Sequence, residues 1–396
     1  MISLGSVAAA GGMGGTLSYK TLQSKYQDFA YPQASIELNG KPFKGDDGQM
    51  IIGNINIELT CGFEASIARF RIYDVFDPET GKFRFEDVKT QVVLGASLKI
   101  QLGYLDTMET VFVGFVASVN FTYDPIDLPY IEVTGMDVKG IMMANNYAMQ
   151  LTAKSYGEAV REILQRTAYE KLKTAGGITE IAVTDTPDKQ QQQGGKTSAE
   201  TIEMVSESDY EFVVKAAKKF NFEFFVDCGK VYFRKAKSNT TPLIELGVGA
   251  GVSKFDVGYS LTGIVESIEA RAMDASTGKV IVSKGTFSND ISTSNKAKKL
   301  VKKSKKVYID PTITSQAQAD ERVASLMETM SYRLGSMECE CVGIPELVPG
   351  RFVELSGLGS PVENQFYVTT VIHDFQEETG YKTRIIGKAA MVKGGM

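Results

Sequence analysis

The sequence predicts a mainly β protein with an α+β insertion: two tube-like antiparallel β-barrels and, between them, a small helix-containing middle domain. Three observations carry that expectation. Apolar and polar residues alternate with period 2, the mark of half-buried strands, through residues 34–145 and again through most of 239–396. Between these regions the period changes to that of amphipathic helices. Third, the stretch from Val348 to Gly387 echoes Leu94 to Gly135 in the order of its features. Gly95 opens the run Ser97–Leu102, and Gly350 opens Arg351–Leu355. An aromatic and β-branched run follows each, Val111–Val119 and Phe366–Val371. Each run ends on rings spaced by two, Phe121/Tyr123 and His373/Phe375. The last strand goes from Tyr130 to Gly135 in one copy and from Tyr381 to Gly387 in the other. Unrelated β-meanders share such patterns too, so the echo alone leaves duplication and coincidence both standing.

In chain order, residues 1–33 are expected as a flexible N-terminal segment, Gly/Ala-rich at its start. The first barrel spans 34–149. Asn39-Gly40 between alternating runs predicts a hairpin joining Ser35–Leu38 to Ile51–Leu59. Ala68–Tyr73 forms a further strand, Asp74 to Gly81 a turn region, and Glu86 to Gln91 a short helix before the first meander. The middle domain spans 150–238. Ser155 with Glu158 reads as a capping box, after which Tyr156, Ala159, Val160, Ile163 and Leu164 share one helical face. Residues 184–200 are polar and low in complexity, hence a surface loop. Ser208 with Glu211 caps a second helix that buries Phe212, Val213, Ala216, Ala217 and Phe220, and a hairpin then turns at Cys228-Gly229. The second barrel spans 239–396. It has a turn at Asp274 to Gly278, a lysine-rich solvated insertion at about 288–306, and a helix capped by Ser315 and Gln318 whose stripe is Val323, Leu326, Met327, Met330 and Leu334.

A chain of 396 residues exceeds what one core usually organises, which fits two or three domains. The net charge of -5 argues against nucleic acid as the main partner, since phosphate binding needs a basic face. The lysine run from Lys296 to Lys306 is the local exception. Cys61, Cys228, Cys339 and Cys341 are too scattered for a disulfide framework and read as reduced core thiols, consistent with assembly in a cytoplasm. No basic start with a long apolar core marks a secretory signal, and no apolar run approaches the ~20 residues of a membrane span.

Residues that could carry chemistry each have a plainer reading. The single histidine, His373, lacks a placed nucleophile, so a structural or surface role is favoured over a triad. One histidine and four dispersed cysteines give no zinc spacing. Gly247–Lys254 resembles a phosphate loop but lacks the Gly-Lys-Ser/Thr ending and reads as a flexible β-turn. The acidic pairs Glu377-Glu378 and Glu207/Asp209 admit a glycosidase reading, although carboxylates in turns and caps are the default. No residue is assigned a catalytic, cofactor-binding or metal-ligating role, and the expectation is a structural protein, not an enzyme.

Glu207-Ser208-Asp209 with Phe212, Pro349-Gly350 with Val353, and Val371, His373, Phe375, Gly380, Tyr381 and Thr383 together resemble the central baseplate hub of contractile injection systems. That group includes phage late-control protein D, the hub of contractile phage tails, and the N-terminal part of the VgrG spike proteins of type VI secretion. The resemblance covers about residues 34 to 390. It implies a homotrimer whose paired barrels form a ring of approximate sixfold symmetry, adapting a hexameric tail tube or tube-initiator protein to a trimeric spike. It also implies baseplate wedge proteins as neighbours, a tape-measure protein or cargo in the lumen, and residence in a phage tail, tailocin, virion or related injection particle after assembly in the bacterial cytoplasm. The chain ends at Met396 soon after the last strand, so the spike is expected as a separate polypeptide. Two alternatives stay open: a tail-associated hydrolase of cell-wall glycan, and a tail tube or adhesin subunit.

Overall fold

A computed structural model describes residues 15–43, 51–187, 190–193, 196–199, 201–274, 277–286, 295–311, 313–376 and 378–393. The start of the expected flexible segment, 1–14, and residues 288–294 of the lysine-rich insertion lie outside them. Residues 15–33 depart from that expectation. Tyr19–Lys25 form a helix, α1, with Leu22 and, just beyond its end, Tyr26 buried against the main core. The apolar positions that anchor α1 are few, which hid it in the sequence.

The first β module contains β1 (Pro32–Leu38), β2 (Ile51–Thr60), β3 (Ile67–Tyr73), β4 (Ser97–Tyr104), β5 (Thr107–Thr122) and β6 (Tyr130–Met136), in the spatial order β1-β4-β5-β6-β3-β2. All these pairings are antiparallel. Alternation sends Ile55, Ile57, Leu59, Phe70, Ile72, Leu98, Ile100, Ile131 and Val133 into one core. Asn39 and Gly40 do turn the chain with positive φ, but the hairpin is two pairs long, Glu37 with Pro42 and Leu38 with Lys41. β1 spends its other edge on β4, so β2 goes to the far side of the module. The helix expected at Glu86 to Gln91 is a single 3₁₀ turn, Phe85–Asp87.

The middle unit begins with α2 (Val138–Met142), β7 (Tyr147–Leu151) and α3 (Tyr156–Leu164). β8 (Glu180–Val183), β9 (Ile202–Glu207), α4 (Asp209–Phe220), β10 (Phe222–Asp227) and β11 (Lys230–Lys235) follow. Ala159, Val160, Ile163 and Leu164 of α3 meet Phe212, Val213, Ala216 and Ala217 of α4 over Phe224, Val226, Val231 and Phe233 of the β10–β11 hairpin. Ser208 and Glu211 form a complete capping box. At Ser155 only half of one forms: its hydroxyl accepts from Glu158 N–H, while the Glu158 carboxylate accepts from Lys154 N–H instead. The expected loop 184–200 contains a hairpin, with 190–193 antiparallel to 196–199; residues 188, 189, 194, 195 and 200 lie outside the described ones.

The second β module starts with β12 (Pro242–Val248) and β13 (Gly251–Tyr259). An insertion then adds β14 (Ser267–Met273), β15 (Val280–Thr286), α5 (Asn295–Val301), β16 (Lys305–Ile309) and α6 (Gln316–Ser331). The end of the lysine run is solvent-exposed, as expected of a solvated insertion, but is not a loop: Lys305 and Lys306 sit in β16, parallel to β14. β17 (Gly335–Val342), β18 (Phe352–Leu355), β19 (Asn364–Gln376) and β20 (Gly380–Ala389) complete the chain. The order β19-β18-β12-β13-β17-β20 closes on itself because β20 pairs with β19, giving a six-stranded barrel. The fold is the expected mainly β one with a helix-containing unit between two β modules. Among the described residues no helix is long and apolar enough to cross a membrane.

Candidate functional site

The echo between the two meanders is reproduced bond for bond. Gly95 and Gly350 both have positive φ, 83° and 77°. Their N–H groups donate to Val116 O and Val368 O at 2.8 and 2.9 Å, and the N–H groups of Val116 and Val368 donate back to Ala96 O and Arg351 O, each at 2.8 Å. Val116 then faces Gly135, and Val368 faces Gly387. One residue later each long strand carries a β-bulge, at Ala117 and at Thr369, after which Phe121 faces Ile131 and His373 faces Thr383. A bulge leaves one residue unpaired and bends the strand, so shared bulges mean shared curvature. The next neighbours match too: Ala68 of β3 lies opposite Gly135, as Met337 of β17 lies opposite Gly387. The tyrosine match proposed for the last strands is one residue out, since Tyr130 corresponds to Lys382 and not to Tyr381.

The two modules are joined by a strand junction. β19 gives its first residues to β18, and then Thr370–Phe375 pair antiparallel with Thr60–Ile55 of β2. His373 sits in this junction opposite Ile57 and is fully buried. Its Nε2 lies 3.2 Å from Leu347 O, which can only accept, so Nε2 carries the proton. Nδ1 then accepts from Tyr381 Oη at 2.8 Å, with Thr383 Oγ1 at 3.2 Å. Burial pushes the imidazole pKa down to about 3. Sequence reasoning missed the junction, although β19, much longer than β18, has half an edge to spare.

A buried ionic cluster fastens the middle unit to the second module. Glu223 and Arg234, opposite each other in the β10–β11 hairpin, bond at 2.5 Å. Tyr367 Oη donates to Glu223, and Arg234 Nη2 donates to Gly350 O at 2.8 Å. Burial raises the Glu223 carboxyl pKa against the pull of Arg234. Nearby Arg351 is buried, with Nη2 3.3 Å from Gly15 O. On the other side, Lys139 Nζ is buried and donates to the carbonyls of Gly62 and Glu64 in the β2–β3 turn.

The remaining sequence candidates are dispersed. Burial pushes the Cys61 and Cys339 thiols up to about 12, so both stay neutral. Cys339 and Cys341 are buried on one face of β17. Gly247–Lys254 spans the end of β12, a tight turn at Gly249-Ala250 and the start of β13. Asp209 is buried and bonded to Arg166 and to Tyr169 Oη, while Glu207 holds Lys215 Nζ at 2.5 Å. Both carboxylates are thus committed to neighbours. Glu377 lies outside the described residues. Among the described residues no three His, Cys, Asp or Glu side chains converge as a metal site.

Comparison with known proteins agrees with this architecture. The tail protein from Neisseria meningitidis MC58 matches with a TM-score of 0.63 at 11% identity, over 91% of this chain and 97% of that one. The 43 kDa tail protein of prophage MuSo2 from Shewanella oneidensis gives 0.62 at 14%, over 91% and 98%. An Escherichia coli component of the type VI secretion system, structurally similar to T4 bacteriophage tail proteins, gives 0.51 at 10%, over 89% and 76%. At such identities the likeness is one of fold. No curated protein matches the sequence. A family model described as the Alg8 N-terminal domain matches residues 31–377, and the chain belongs to that family.

Proposed function

We propose that this chain is a structural, non-catalytic hub in the baseplate of a contractile injection machine. It works as a homotrimer joining a hexameric tail tube, or the protein that initiates it, to a trimeric spike. Wedge proteins surround it, and a tape-measure end or cargo occupies its lumen. The observation that carries this reading is that one chain holds two β modules of matching register already joined edge to edge. Three such chains in a cyclic array supply six similar modules, which is how a trimer can meet a sixfold partner without six gene products. The fold shared with two tail proteins and a type VI component supports the setting. The non-catalytic part of the reading is supported by His373, whose two ring nitrogens are both bonded inside the core.

Sedimentation of the purified chain, alone and with its spike, tests the reading. A mass of three chains, and particle images placing the ring between tube and spike, are expected. A strict monomer that ignores any spike refutes it, as do open filaments or hexamers, which a tube or adhesin subunit would form. Turnover of purified peptidoglycan that disappears on replacing one acidic residue would favour the hydrolase instead.

A further inference from the structure

Two strand edges of this chain carry no strand among the described residues, and they are the counterparts of the two edges that meet inside it. Within the chain, Ile55–Thr60 of β2 pair with Phe375–Thr370 of β19. The counterpart of β2 is β13: Ile57 lies opposite Ala68, which lies opposite Gly135, and Val257 lies opposite Met337, which lies opposite Gly387. The counterpart of the second half of β19 is the second half of β5, with Ser118 for Thr370 and Phe121 for His373. Among the described residues, β5 pairs with β4 only as far as Phe115, and β13 pairs with β12 only at Gly251 and Val252. Ser118–Thr122 and Ser253–Tyr259 therefore each present one edge with no strand on it.

Burial follows the same correspondence. Ile57 and His373, which meet inside the chain, are each 0% exposed. Phe121, the counterpart of His373, is 48% exposed, and Val257, the counterpart of Ile57, is only half-buried. Around them Tyr123 and Phe255 are exposed where Phe375 and Ile55 are covered or half-covered. Natural edges are usually blunted by charge or proline, yet Ser118–Thr122 contains neither. The Phe121 ring is also held in place before any partner arrives, packed edge-on against Phe83 and Phe85.

We infer that the bare edge of β13 in one copy pairs antiparallel with the bare edge of β5 in the next, in the register of the internal junction. Tyr259 then stands opposite Val119, Val257 opposite Phe121 and Asp256 opposite Thr122. The partner is a second copy of this chain. The contact is head-to-tail, since the edge offered differs from the edge received, and such contacts close into rings or run on as filaments. That the ring closes at three rests on the trimer reading above; the register does not.

The experiment pairs Phe121→Cys with Val257→Cys under oxidised glutathione. Residues directly opposite in an antiparallel pair have Cα atoms about 4.5–5.5 Å apart, within the span of a disulfide. Covalent ladders ending at three chains on a non-reducing gel are expected. Phe121→Cys with Asp256→Cys, one residue out of register and pointing to the other face, should link at least tenfold more slowly. Trimers whose in-register pair stays unlinked, or links no faster than the shifted pair, overturn the inference and leave the hub reading intact. A wild-type chain that never trimerises overturns the hub reading and the inferred contact with it. Phe121→Asp gives an independent measure, because the half-exposed ring can be replaced without opening the core. The inference requires at least a tenfold weaker trimer, and an unchanged assembly constant refutes it.

Discussion

Acid should loosen this protein at the junction between its modules, and the cause is a single imidazole. His373 has a folded-state pKa of about 3 against 6.5 in an unfolded chain. Between these values the unfolded state binds the extra proton, so stability rises with pH across the window and is lost as pH falls from 6.5 toward 3. Each unit of pH inside it costs about 1.4 kcal/mol, so going from pH 7 to pH 5 costs about 2 kcal/mol. Among the described residues nothing nearby compensates: the imidazole is bonded to a carbonyl, a phenol and a hydroxyl, and no carboxylate contacts it. His373→Gln keeps a donor for Leu347 O and an acceptor for Tyr381 Oη but cannot titrate. Urea unfolding of both proteins at pH 7 and pH 5, at one fixed protomer concentration, isolates the effect, because every other titrating group is common to the two. Wild type should lose about 2 kcal/mol more than the variant. Parallel losses would refute the buried neutral imidazole.

Two further predictions concern other buried groups. Arg234→Met leaves the buried Glu223 carboxylate with the Tyr367 Oη bond and the more distant Lys237 charge, and should cost about 3–5 kcal/mol in urea unfolding. Adding Glu223→Leu should recover part of that loss, whereas additive losses would mean the two side chains act independently. Gly343→Ala should cost about 2 kcal/mol, since the new Cβ would stand 2.2 Å from the Tyr381 ring that holds the His373 tautomer. An unchanged unfolding midpoint would show that the ring yields freely.

What the sequence disclosed and what it concealed divide along physical lines. The correspondence of Phe121/Tyr123 with His373/Phe375 is legible because a period-2 pattern keeps its phase across a bulge when both copies have the bulge at the same place. Gly95 and Gly350 are legible because a backbone at positive φ favours glycine. The partner of β2 is not. Asn39-Gly40 specifies a turn, but the length of the hairpin depends on which strands compete for β1, and β4 takes its whole length. The half-edge of β19 that receives β2 leaves no trace in composition either, because a central and an edge segment with the same alternation read alike. The mistaken match of Tyr130 with Tyr381 has a related origin: identity of residue type was followed where the bonding register of the final glycine was the better guide.

The two modules agree in their strands and differ in their connections, and this division bears on symmetry. Between β2 and β3 lies a turn of six residues, 61–66, clasped by the middle unit through Lys139 Nζ and through Tyr210 Oη on Phe63 O at 3.0 Å. The equivalent connection between β13 and β17 carries the whole insertion of β14–β16, α5 and α6. These unlike decorations touch each other: Asn221, just past α4, donates to Glu328 of α6 at 2.5 Å, and Arg322 reaches Lys218 O at 3.4 Å. A backbone ladder fixes strand spacing whatever its side chains are, so insertions placed in the connections leave the register of the barrel walls intact. On the trimer reading, a partner that meets the strand walls encounters six near-equal surfaces, and a partner that meets the connections encounters three. One chain can then present both symmetries because the repeat is conserved in its hydrogen bonds and abandoned in its loops.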